Sequence, residues 1–221
     1  EAILLRNSGD KGEILAWLYD IEGPDLYDAF RRNINVAIFD EKHIPIIETM
    51  VPKNKRVPIT LFVDTGINRA GIPYTAAYQA AIDINRSKKF NLIGLMSHLL
   101  ESEKKNSKIT NEQLRKFRKL RDELRLIGID PPQVHIANTD GCLNYDVSDF
   151  TISRPGKGIY GISSHGDGKK NLKLVTSLKS FIIQLKNINK GDGVGYNWKY
   201  IAPKSMRIAI LPIGYADVLP R

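Results

Sequence analysis

The chain has 221 residues, of which 42% are hydrophobic and 26% charged, as is typical of a globular protein. No apolar run approaches the ~20 residues of a membrane span, and the single cysteine, Cys142, excludes an internal disulfide framework and suits a cytoplasmic protein. The net charge of +9 would suit a nucleic-acid partner. The densest basic cluster, within residues 115–121, alternates with apolar residues, however, as on the solvated face of an amphipathic helix. We therefore predict neither a nucleic-acid nor a membrane partner.

Strand-like and helix-like segments alternate along most of the chain. Apolar, β-rich runs occupy residues 13–18, 35–39, 58–63, 91–96, 133–137 and 150–153. Helical patterns lie between them, at residues 24–33, 41–51, 73–87, 111–127 and near 140–145. This alternation predicts an α/β fold of parallel strands joined by helical crossovers.

The helix predicted at residues 111–127 has clear end signals. Thr110 can cap its first turn, Gln113 can reach back as in a capping box, and Gly128 can end it in a left-handed turn. After Gly161 the helical period disappears, and β-like stretches follow at residues 175–186 and 205–211. We therefore predict a barrel-like domain at 1–162 and the start of a β domain at 163–221.

Polar or glycine-rich groups follow several of the predicted strands. The first lies at residues 64–71, where glycines allow a close backbone approach and Arg69 offers a planar fork for a carboxylate or phenolic oxygen. His98 follows the next strand and would lie flat against an aromatic cofactor. Each has a simpler alternative: a tight turn with a surface arginine, and a satisfied core histidine.

Further candidates follow along the chain. Asn138 and Thr139 end a strand and begin a helix, where they could hold a phosphate or simply cap the helix. Arg154 and Gly156 end the next predicted strand. Tyr196 lies between glycine-rich residues, either as a packed turn residue or as a base, which requires nearby positive charge because a phenol titrates near ~10.

Taken together and in this order, these segments resemble the alanine racemases, from residue 1 to the segment at residues 214–221. That resemblance implies a TIM-type (β/α)8 barrel that binds pyridoxal 5'-phosphate, followed by a β domain. It implies a homodimer in which two chains share each active site. The implied activity is two-base interconversion of L- and D-alanine, which supplies D-alanine to the cell wall, with no metal ion.

The resemblance also implies roles in cofactor binding. His98 would pack on the pyridine ring, Arg154 would face the pyridine nitrogen, and His135 would support Arg154 from behind. Because a guanidinium does not readily give up a proton, the nitrogen would stay unprotonated, which limits side reactions such as transamination. Residues implied at the phosphate are Asn138, Thr139, Gly156 and Lys157.

Substrate roles follow in the same way. Arg69 would contact the substrate carboxylate and the cofactor's phenolic oxygen. Tyr196 would be one of the two bases, reaching into the partner chain's site. Tyr215 and Arg221 would lie near the substrate entrance.

Several features depart from the family pattern. The cofactor lysine belongs to an N-terminal Lys-Ala-(Asn/Asp)-Ala-Tyr-Gly segment that residues 1–221 do not contain, and six strands are predicted where the barrel has eight. We therefore expect a fragment that is inactive by itself. Phe62 stands where the family often has a lysine that steadies the arginine. Asn197 and Val218 each stand where the family usually has glycine.

Three interpretations are therefore compatible with the sequence. The first is alanine racemase, active in a longer, dimeric chain. The second is another amino-acid racemase on the same scaffold, for example one for serine or lysine. The third is a non-catalytic remnant that binds pyridoxal phosphate.

Overall fold

The computed structural model describes residues 1–164 and 172–217, and the chain divides into two compact units, Glu1–Leu174 and Val175–Arg221. The first unit is built on a parallel sheet in the order β1-β2-β3-β5-β6, with a short strand β4 beside the end of β3. Its strands are β1 Leu15–Ala16, β2 Asn35–Ile38, β3 Val57–Asp64, β4 Ile72–Pro73, β5 Phe90–Met96 and β6 Gln133–His135.

Helices separate most of these strands, which confirms the predicted alternation. They are α1 Ala2–Asn7, α2 Asp25–Arg31, α3 His43–Met50, α4 Tyr74–Arg86, α5 Lys108–Leu126, α6 Thr139–Asn144 and α7 Gly156–Ile159. Within the described residues, no helix combines the length and the apolar content that crossing a membrane requires.

The core lies between the sheet and the helices. Strands β2 and β3 are buried along nearly their whole length, as expected for a parallel sheet that is covered on both faces. Fully buried Phe30, Phe90 and Phe117 anchor it, and each such side chain contributes about 1.5–3 kcal/mol of hydrophobic stabilisation. Gly94 is required where β5 meets β3, because a Cβ there would lie 2.2 Å from Thr60 Oγ1.

The strand predicted at residues 150–153 does not form. The amides of Thr151 and Ile152 both donate to the carbonyl of Val134, at 3.0 and 3.3 Å, whereas successive amides of a regular parallel strand point to opposite sides. Just after this segment, Arg154 forms an isolated parallel β-bridge with Asn138.

Helix α5 also begins earlier than predicted. Its N-cap is Ser107, whose hydroxyl accepts from the Thr110 amide at 3.2 Å, so Thr110 is inside the helix and does not cap it. Gln113 does not form a capping box either, because its side chain turns inward to the loop after β5. The predicted left-handed ending at Gly128 is confirmed by its φ of +79°.

The second unit consists of short antiparallel pairs. Strand β7 Gln184–Ile188 pairs with β10 Met206–Ile210, and β8 Gly193–Val194 pairs with β9 Tyr200–Ile201. Of the β-like stretch predicted at residues 175–186, only the part from Gln184 onward is a strand. Two 3-10 turns, Tyr196–Trp198 and Tyr215–Asp217, complete the described part of this unit.

Candidate active site

The loop after β3 is organised by one carboxylate. Asp64 Oδ1 accepts hydrogen bonds from three successive amides, those of Gly66 at 2.8 Å, Ile67 at 3.0 Å and Asn68 at 3.2 Å. Gly71 closes the loop with a φ of +119°, and a Cβ there would lie 2.7 Å from the Asp64 nitrogen. The loop is thus folded tightly onto its own strand, and it carries the exposed Arg69 at the carboxyl end of β3.

Trp17, at the end of β1, lies at the centre of an aromatic group that sequence reasoning missed. The Arg69 guanidinium lies 5.7 Å from the centre of the indole ring. The indole is parallel to the His98 imidazole, with 6.2 Å between ring centres and 2° between planes. It also packs on Phe62, with 5.8 Å between the two ring centres. The available signal was an aromatic residue at the end of the first strand.

The loop after β5 carries His98 and is held by a buried glutamine. Gln113 Nε2 donates to the His98 carbonyl at 3.0 Å, and its Oε1 accepts from the Leu100 amide at 2.9 Å. Beside it, the hydroxyls of Thr65 and Ser97 lie 2.8 Å apart, which joins the loops after β3 and β5. A buried side chain with all its polar atoms engaged resists rotation, so this network fixes the backbone that carries the imidazole.

Arg154 lies between two histidines. Its Nη1 donates to Nδ1 of His135, and its Nη2 donates to the Ser97 carbonyl at 2.6 Å and approaches His98 Nδ1 at 3.4 Å. Within the residues that the structure describes, no carboxylate forms a salt bridge with this guanidinium.

The charge states of these three groups follow from burial. Burial, followed by the charge of Arg154, lowers the pKa of His135 to about 3. Burial, Arg154 and Arg69, in that order, lower the pKa of His98 to about 4. Burial also lowers the pKa of Arg154, to about 10. At neutral pH the site therefore presents one cation between two uncharged imidazoles.

The residues predicted at the phosphate lie at the start of α6, with Asn138 as its N-cap, and on α7. Asn138 Oδ1 caps α6 by accepting from the Gly141 amide at 3.0 Å, and it also accepts from the Ser102 hydroxyl at 2.6 Å. Thr139 Oγ1 accepts from the Gly158 amide at 3.0 Å, which fastens the two helices together. Next to Gly156 the space is open, since a Cβ there would meet no atom within 4 Å.

Six of the predicted residues are thus connected within the first unit. Arg154 contacts both His98 and His135. Arg69 is connected to His98 through Trp17, which contacts both. The backbone bridge between Asn138 and Arg154 connects this group to α6, which begins at Thr139. Lys157, on α7, is paired with Asp140 at 2.6 Å.

The remaining predicted residues belong to the second unit. Tyr196 is 89% exposed, and it is followed by Asn197 with a φ of +56°. Asparagine is among the side chains that best tolerate this left-handed conformation, which explains how it can stand where the family usually has glycine. Tyr215 is also exposed, in the second 3-10 turn. Arg221 and Val218 lie outside the described residues.

Both parts of the chain match known family models. Residues 1–164 match the alanine racemase N-terminal domain, and residues 175–221 match the alanine racemase C-terminal domain. The chain is 32% identical over 229 residues to the alanine racemase of Treponema denticola, covering 100% of this chain and 60% of the relative. It is 37% identical over 178 residues to that of Borreliella burgdorferi, covering 79% of this chain and 47% of the relative.

Solved structures give the same result. The crystal structure of alanine racemase from Streptomyces lavendulae matches with a TM-score of 0.89 at 27% identity, covering 100% of this chain and 59% of that one. The chain thus spans 47 to 60% of the length of these relatives. The predicted fold class is confirmed: the parallel sheet corresponds to part of the racemase barrel, and the antiparallel strands correspond to the β domain that follows it.

Proposed function

Because the chain belongs to the alanine racemase family, we propose that the protein it forms part of interconverts L- and D-alanine, with pyridoxal 5'-phosphate as its cofactor. The observation that carries this proposal is the arrangement around Arg154. A half-buried guanidinium lies between two neutral imidazoles, with no carboxylate paired to it among the described residues. A cation held in this way favours a ligand that brings its own acceptor.

The donor set fits this cofactor. The flat ring of His98 suits an aromatic ring, and Arg154 suits a ring nitrogen that accepts a hydrogen bond. The Thr139 hydroxyl, bonded to the Gly158 amide of α7, and the open space at Gly156, the first residue of α7, suit a phosphate. Pyridoxal phosphate, when bound, supplies an electron sink that stabilises negative charge at the substrate α-carbon.

The chain's own residues then bind the substrate and move the proton. Arg69 would hold the substrate carboxylate, since its planar guanidinium matches the two oxygens. Tyr196 would exchange the α-proton at its phenol oxygen on one face of the substrate. We further propose a cytoplasmic homodimer in which the Tyr196 at each site comes from the partner chain, and a role in supplying D-alanine for the cell wall.

The second base needs a lysine on the opposite face. Residues 1–221 contain no Lys-Ala-(Asn/Asp)-Ala-Tyr-Gly segment, so in our proposal this lysine lies on a part of the protein outside these residues. Alanine is proposed as the substrate from the family, and serine and lysine are the alternatives to test beside it.

The first experiment combines intact mass with an activity assay. The protein purified from its natural source is incubated with pyridoxal phosphate, reduced with borohydride and weighed. A mass well above the 24.9 kDa of these residues, with one reduced cofactor attached and L- to D-alanine conversion before reduction, is the expected result. A mass of 24.9 kDa with neither adduct nor conversion would contradict racemisation and support a remnant. Faster conversion of serine or lysine than alanine would reassign the substrate.

A further inference from the structure

The position of Arg69 needs an explanation, because its loop is close to the surface and the side chain is exposed. The nearby carboxylate of Asp64 accepts hydrogen bonds from three backbone amides at its Oδ1 and forms no salt bridge with Arg69 among the described residues. Phe62, on β3 itself, is fully buried in a small apolar cluster with Ala37 and Met96, and a phenyl ring offers a guanidinium no hydrogen-bond acceptor. In the described part of the chain, no hydrogen bond or salt bridge to Arg69 is present, and the contact that remains is with Trp17.

We propose that Trp17 is a positioning residue for Arg69, and that the indole face holds the guanidinium where it can receive the substrate carboxylate. This inference rests on the proposed function. The Cζ of Arg69 lies 5.7 Å from the ring centre, within the ~6 Å at which a cation is attracted to an indole face. Tryptophan attracts cations more strongly than the other aromatic side chains.

The indole is itself held in place, which a positioning surface requires. It packs against the buried Phe62 with ring centres 5.8 Å apart and a 57° angle between planes, and it joins the cluster around Phe62. It is also parallel to the His98 ring within 2°. Trp17 therefore couples two predicted functions, since one ring system contacts both the candidate carboxylate binder and the candidate cofactor-facing histidine.

The charges around the indole are compatible with this role. At neutral pH His98 is uncharged, so the indole carries one cation, Arg69, and not two that compete for it. The indole provides attraction without accepting a hydrogen bond. The guanidinium donors are therefore left available for a carboxylate, whereas an acidic side chain would occupy them and compete with the substrate.

The test uses Trp17→Leu and Trp17→Phe in the full-length protein. Removing the aromatic face leaves Arg69 free to sample other rotamers, so the KM for alanine should rise about 3- to 10-fold in Trp17→Leu, with kcat changed less than twofold. Trp17→Phe keeps a weaker aromatic face and should give an intermediate KM.

The second readout does not depend on activity. The Nε–Hε signal of Arg69, assigned by its loss in Arg69→Lys, should be displaced upfield by the indole ring current. This displacement should vanish in Trp17→Leu and be reduced in Trp17→Phe. Phe150→Leu is the matched control, because it removes the ring under a different arginine, with Arg118 Cζ 5.2 Å from the Phe150 centre, and should leave Arg69 unchanged.

The outcomes separate this inference from the proposed function. An Arg69 signal without ring-current displacement in the unsubstituted protein, or one unaltered in folded Trp17→Phe, overturns the positioning role whether or not the protein racemises alanine. A KM that is equal in all three proteins overturns it as well. A displaced signal in a protein that converts no alanine would contradict the proposed function while leaving the Trp17–Arg69 contact established. If Trp17→Leu does not fold, the Trp17→Phe comparison decides.

Discussion

Lys157 and Asp140 join the two short helices α6 and α7 through an ion pair, with Lys157 Nζ 2.6 Å from Asp140 Oδ2. The Asp140 side chain is only 5% exposed, and Ser164 donates to it from its hydroxyl at 2.8 Å and from its amide at 3.2 Å. Burial acts to raise the pKa of Asp140, but the hydrogen bonds from Lys157 and Ser164 outweigh it and lower that pKa.

Removing the Lys157 cation alone should therefore lower the free energy of unfolding more than removing the charges of both Lys157 and Asp140. We expect Lys157→Met to lower the free energy of unfolding by about 1–3 kcal/mol, because it removes a cation that lies 2.6 Å from a buried carboxylate. The double variant Asp140→Asn, Lys157→Met should recover most of this loss. Urea unfolding of the four proteins at pH 7 measures the coupling, and strictly additive losses would contradict it.

Asp149 should make the first unit sensitive to acid. Hydrogen bonds from Arg118 and then Arg121 hold its pKa at about 2, against the opposing effect of burial. A carboxylate with a lowered pKa stabilises the fold above its unfolded pKa of about 3.9, and that contribution is lost as the pH falls from about 4 to about 2.

We therefore expect Asp149→Asn to lower the free energy of unfolding by about 1 kcal/mol at pH 7. The value is modest because the carboxylate is 37% exposed and screened by solvent. The cost should shrink toward zero at pH 2. Urea unfolding across this pH range measures it, with Arg118→Met as the companion variant, since it removes the same pair from the other side. A loss for Asp149→Asn that is as large at pH 2 as at pH 7 would show that the ion pair is not responsible.

Arg154 should control the titration of its two histidine neighbours. Its charge is the second cause, after burial, of the low pKa values of His98 and His135. In Arg154→Gln both pKa values should rise, yet stay below 6.5 because burial persists. NMR titration of the imidazole protons of the chain's four histidines measures this. Arg154→Lys keeps the charge and serves as the control, and unaltered pKa values in Arg154→Gln would contradict the contact.

Tyr196 should be needed for proton transfer on one face of the substrate. We expect Tyr196→Phe in the full-length protein to reduce racemisation by about 10²- to 10⁴-fold, the range typical of a lost acid–base group, while pyridoxal phosphate still binds. Racemisation in both directions and proton exchange with deuterated solvent are measured together. Wild-type rates with unchanged exchange would remove Tyr196 from this role. Tyr200→Phe, four residues away on β9, is the control for loss of a phenol elsewhere in the unit.

The sequence alone determined the alternation of strands and helices and the residues that follow each strand. The reason is that both signals are local: burial on both faces gives strands a continuous apolar run, and helices show their period within two or three turns. Because parallel strands end at one edge, residues as distant in sequence as His98 and Arg154 could be assigned to one site before any contact was known.

Which side chains touch depends on how the strands and helices pack. The sequence predicts Gln113 in a capping box at the helix end, but packing of α5 against the sheet turns its side chain toward the His98 loop, 15 residues away. Residues 150–153 look like a strand, yet two of their amides share the Val134 carbonyl. Trp17 meets Arg69 across 52 positions of sequence because β1 and β3 end at the same edge. Such contacts depend on how whole elements pack, and no local pattern of residues records that.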